Sequence, residues 1–157
     1  MKYISAIAAL SLLFFSCQSD NSAASTEDNT TTVVTTTNST ADCVKRIIAL
    51  DEQLGVQRNT ATEEQSLSDA IQEYLDGTQQ MDYTNCPPNL QPMMEQHLAA
   101  WKSVIPVTDK YADRRGKMDA LFRELEQGPD SIAIKAFVQS SYNTWVRINA
   151  IVNANKE

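Results

Sequence analysis

The sequence predicts an all-α protein, an antiparallel four- to five-helix bundle behind a disordered Ser/Thr-rich tether. Three observations carry this prediction. From Asp42 onward, apolar residues recur every three or four positions, the spacing that lines one face of a helix. No segment of that region alternates apolar and polar residues over the length of a strand. Residues 18–41, QSDNSAASTEDNTTTVVTTTNSTA, contain no aromatic residue and only Val33 and Val34 as bulky apolar side chains. Such a stretch buries too little surface to offset its ordering entropy.

The elements divide the chain into residues 1–16, 17–41 and 42–157. In the first, Lys2 precedes an apolar run over residues 4–15, and Ser16 and Cys17 follow. The run is shorter than the roughly 20 residues that a membrane-spanning helix needs. Its charge, apolar core and small exit residue are those of a secretory signal peptide. The second segment is a linker with a root-mean-square reach of about 25 Å. A Thr-rich strand is the other reading of it, but no alternating apolar run exists to pair with one.

The junction Phe14-Phe15-Ser16-Cys17 resembles the lipobox of bacterial lipoproteins, with Phe14 where that family usually carries Leu. The resemblance covers these residues alone. It implies cleavage before Cys17, which then becomes the lipidated mature N-terminus and carries palmitate or similar acyl chains. Gln18 stands where the family's inner-membrane retention signal usually has Asp, which implies the outer membrane. Each buried methylene of an acyl chain contributes about 0.8 kcal/mol, so two or more chains hold a domain firmly at a bilayer.

The helices follow in order. Asp42 is expected to cap a first helix bearing Val44, Ile47, Ile48 and Leu54, which runs out near Gly55 or shortly after. Thr62 and Gln65 have the spacing of a capping box. Behind them Leu67, Ala70, Ile71, Tyr74, Leu75, Thr78 and Met81 form one stripe. Residues 82–88 are expected to turn. A third helix, capped by Asn89, carries Leu90, Met94, Leu98, Trp101 and Ile105, and Pro106 is expected to end or kink it. A fourth is expected over 108–127 and a fifth behind Gly128-Pro129, capped by Asp130.

Assigning Cys17 to lipid leaves Cys43 and Cys86. An exported protein sits in an oxidising compartment, so these two are expected to pair. They fall at the same end of an antiparallel helical hairpin. Closing that loop contributes about 4 kcal/mol in the chain-entropy account.

Composition and motifs narrow the function. The 157 residues suit one folded domain, and 13 basic against 20 acidic residues give a formal charge of -7. That charge excludes a general nucleic-acid binder. The single histidine, His97, excludes a di-iron site built on two Glu-x-x-His motifs. It is also the only histidine base on offer, and no G-x-S-x-G elbow accompanies it. Met93, Met94 and His97 lie within one turn and offer thioether and imidazole to copper or haem, though Met at helical spacing is usually core filler. Lys110, Arg114, Arg115 and Lys117 form a basic stripe on the expected fourth helix, suited to an acidic partner. Asp113 and Asp119 can neutralise part of that helix through pairs to Lys117 and Arg123, four residues on. The sequence therefore leads us to expect a lipid-anchored envelope domain that binds a protein or other macromolecule, without catalysis or cofactor. A small metal- or haem-binding bundle using Met94 and His97 is the second expectation.

Overall fold

The computed structural model describes residues 39–155. The expected signal peptide (1–16), lipidated Cys17 and nearly all of the expected tether lie outside the described residues. Within them the fold is an all-α bundle of α1 (Thr40–Ala61), α2 (Leu67–Thr78), α3 (Leu90–Thr108), α4 (Met118–Leu125) and α5 (Ser131–Ala154), with a 3-10 turn at Asp109–Tyr111. Among the described residues no helix is long and apolar enough to cross a membrane.

α1 begins earlier and ends later than the sequence suggested. The cap is Ser39, whose Oγ accepts from the Asp42 N–H at 3.1 Å, while the Asp42 carboxylate accepts from the Ser39 N–H at 3.2 Å. Asp42 thus completes a capping box rather than serving as the cap, and Thr40 and Ala41 belong to the helix. Gly55 does not stop it. A mid-helix glycine costs about 1 kcal/mol, less than burial of Val44 and Ile47 on the same face returns.

The expected Thr62–Gln65 box is not formed. Ser66 caps α2, accepting from the Asp69 N–H at 3.1 Å and donating to its carboxylate at 2.6 Å. Ser66 directly precedes the first apolar residue of the stripe, Leu67, which is where a cap must stand. The following loop turns at Asn85, with φ 65°, a conformation that asparagine tolerates.

α3 passes through Pro106 and continues to Thr108 before tightening into the 3-10 turn. The expected helix over 108–127 is broken. Gly116 has φ 141°, a backbone that L residues rarely adopt, and α4 starts only at Met118. Asp130 makes no side-chain cap to α5. Its carboxylate instead accepts from Lys110 Nζ at 2.8 Å and from the Tyr111 hydroxyl at 2.9 Å.

Two apolar clusters hold the helices. One gathers Leu67, Ile71, Trp101, Phe122, Ile134 and Phe137. The other gathers Val44, Ile47, Leu90, Met94, Ile148 and Ile151 around the disulfide. Cys43 and Cys86 are joined, their Cα atoms 5.2 Å apart and 43 positions apart in sequence. The bond ties the start of α1 to the segment after α2, as a helical hairpin allows. Arg46 fastens the same loop, donating to the Asp82 carbonyl at 3.1 Å.

Candidate binding site

One face of α1 carries Val44, Ile47, Asp51, Gly55 and Arg58 at three- and four-residue spacing. Side chains so spaced stack along one side of a helix. Two of these positions put charge where the periodicity calls for apolar residues. Asp51 is only 7% exposed, although aspartate is seldom buried without a partner. Its Oδ1 accepts from the Tyr74 hydroxyl at 2.6 Å. Among the described residues it receives no other hydrogen bond and has no cation within 4.0 Å. Its second oxygen keeps solvent access. Burial first, and then the Asp51 charge, push the Tyr74 hydroxyl far above the usual phenol range.

Arg58, two turns on, lays its guanidinium over the Trp101 ring, 3.7 Å from the centroid, and 4.5 Å from that of Tyr74. Partly desolvated cation–π contacts of this kind contribute about 1–2 kcal/mol. The group donates to Asn59 Oδ1 through Nε at 3.2 Å and Nη2 at 3.1 Å. No carboxylate lies within 4.0 Å of it among the described residues. Burial lowers its pKa, against the pull of Tyr74 and Asp51, and a guanidinium stays charged regardless.

His97, from α3, closes a polar chain behind these groups. The Trp101 indole N–H donates to Nε2 at 3.1 Å, which leaves the proton on Nδ1. Nδ1 then donates to Thr144 Oγ1 at 2.9 Å. Thr144 in turn donates back to the Ser141 carbonyl at 2.9 Å. Burial lowers the His97 pKa, in keeping with a neutral ring whose Nε2 must accept.

These residues floor a cleft of about 660 Å³ between α1 and α5, within the range of small-ligand sites. Phe122, Phe137 and Trp145 add to the aromatic lining. Val56 on one rim and Tyr142 on the other are each 63% exposed. Gly55 lies in the α1 wall between the two charges, and a Cβ there would meet only Arg58 Nη2, at 3.8 Å.

The residues singled out in the sequence fall elsewhere or take other work. The basic stripe is not a helical face. Lys110 lies in the 3-10 turn, Arg114 and Arg115 in the link behind it, and Lys117 at the exposed N-cap position of α4. Lys110 pairs with Asp130 and Arg114 with Glu124. Arg115 donates to the carbonyls of Glu64 and Ala112. Of the residues considered for metal or haem, Met94 is fully buried in the disulfide-end cluster, with Met93 packed against it. Both His97 nitrogens are engaged, leaving no lone pair to ligate.

Asp51 and Arg58 belong to no motif singled out in the sequence, and Gly55 stood there only as the expected end of the first helix. Their signal was a pair of opposite charges seven residues apart on an apolar stripe, with a glycine between them. No protein family, curated protein or solved structure matches this chain.

Proposed function

We propose that this chain is a lipid-anchored recognition module of the cell envelope, held to the outer membrane through Cys17. It captures its partner, a protein or other envelope macromolecule, in the α1–α5 cleft and performs no catalysis. The observation that carries this reading is the exposed apolar pair Val56 and Tyr142 standing over an aromatic floor that holds a guanidinium with no carboxylate within 4.0 Å among the described residues. Tyrosine, tryptophan and arginine are the side chains that most often carry the binding energy of an interface. The Cys43–Cys86 bond supports an oxidising compartment, and the lipobox-like junction supports the anchor.

The reading is tested by expressing the full chain with an alkyne-bearing palmitate analogue and capturing envelope material on it. Label is expected on the wild type and absent from Cys17→Ser. Tyr142→Asp is expected to lose the envelope species that the wild type retains. Label on Cys17→Ser would overturn the anchor. Equal capture by Tyr142→Asp would overturn the cleft.

A further inference from the structure

We propose that the α1–α5 cleft takes an apolar amino-acid residue whose carboxylate is free, with Arg58 holding the carboxylate and Asp51 the adjacent nitrogen. The proposal rests on the reading of this cleft as the binding site and names its ligand class. Two charges of opposite sign line one cleft yet do not pair with each other within 4.0 Å. Each is left with capacity. Arg58 uses one edge on Asn59, and among the described residues its Nη1 has no acceptor. Asp51 spends one oxygen on Tyr74 and keeps the other accessible. Among the described residues Tyr74 alone hydrogen-bonds this carboxylate, so a donor brought by a ligand would add to what holds the charge there.

A ligand complementary to this pair carries both an anionic group and an N–H donor. An α-amino acid residue with a free carboxyl end has both on one carbon, and its side chain is left for the aromatic lining. The balance of charge agrees. Asp51 and Glu52 outnumber Arg58 along the cleft, which favours a ligand whose own negative charge is offset by a donor over a simple anion. Gly55 supplies the space, since its missing side chain leaves the wall open between the two groups. A glycine in mid-helix is a cost that this opening accounts for.

The chain's two tryptophans, Trp101 and Trp145, both line the cleft, so intrinsic fluorescence reads it directly. The full chain in detergent is titrated with four probes. They are L-phenylalanine, N-acetyl-alanyl-phenylalanine, the amide of the latter, and hydrocinnamate, which has the carboxylate and ring but no nitrogen. The first two are expected to bind saturably, and the tighter of them distinguishes a free amino acid from a polypeptide end. The amide and hydrocinnamate are expected to bind at least about tenfold more weakly, the scale of one charge-assisted hydrogen bond. Arg58→Gln is expected to erase the preference for acid over amide. Gly55→Leu, a better helix former, is expected to block binding without lowering the thermal midpoint. If Gly55→Leu unfolds, the Arg58→Gln comparison decides alone.

Equal affinity for acid and amide, or binding of none of the four, overturns the proposal. If no probe binds while envelope capture still depends on Tyr142, the ligand class falls and the cleft stands. If probes bind as expected while capture ignores Tyr142, the macromolecular reading falls instead.

Discussion

Asp51 and Arg58 stand two turns apart on the same face of α1 and form no ion pair within 4.0 Å, although both line one cleft. Each is committed to aromatic neighbours instead. Tyr74 donates its hydroxyl to Asp51 and shares the guanidinium of Arg58 with Trp101. Tyr74 is therefore the hinge of the arrangement, and the first prediction concerns it.

Tyr74→Phe keeps the ring beneath Arg58 and removes the one hydrogen bond that the described residues make to a carboxylate that is 7% exposed. Loss of a bond to a buried charge costs about 1.5–3 kcal/mol. Urea denaturation is expected to report a loss of that size, and a Tyr74→Phe protein as stable as the wild type would show that solvent already satisfies Asp51.

The His97 network makes stability pH-dependent with a definite sign. Burial lowers the folded-state pKa below the usual 6.5. Below 6.5 the unfolded chain binds a proton that the folded one resists, so the His97 contribution is complete above that value. It declines as pH falls from 6.5 toward the folded pKa. Protonation would also reverse Nε2 from acceptor to donor against the Trp101 indole. Urea midpoints of the wild type are expected to fall between about pH 7.5 and about pH 5.5. The same comparison for His97→Gln should be flatter, and an equal slope in both would assign the effect to other groups.

Reduction of Cys43–Cys86 releases a loop spanning 43 positions. The stability difference between oxidised and reduced protein is expected to be about 4 kcal/mol, read from denaturant midpoints with and without a thiol reductant. A shift near zero would mean that the reduced chain keeps its two ends together by packing alone.

Arg114→Glu with Arg115→Glu tests the basic residues flagged by the sequence. Arg114 is already paired with Glu124 and Arg115 is spent on backbone carbonyls. Envelope capture is expected to be unchanged, because the partner enters the cleft. Loss of capture with the fold intact would return the binding surface to this link.

Helix number and the disulfide were legible because both depend on local information. Periodicity marks an apolar face, and with Cys17 set aside two cysteines remain. Breaks and caps were less legible, because competing signals lie within a few residues. Ser39 and Asp42 share one box, and Gly116 outweighs the helical pattern around it through a single backbone angle. The candidate site was hidden for a different reason. A sequence shows that Lys110 and Arg58 are both cationic, but only packing decides which finds a carboxylate. Lys110 meets Asp130, 20 residues away, whereas Arg58 meets the face of Trp101 from α3.

The most direct test of the cleft as the binding site is the pair of indole N–H resonances of Trp101 and Trp145 in the full chain. Addition of N-acetyl-alanyl-phenylalanine is expected to shift both, with little change in the backbone amides of residues 110–117. Shifts confined to residues 110–117, with both indole signals unmoved at saturation, would contradict the account.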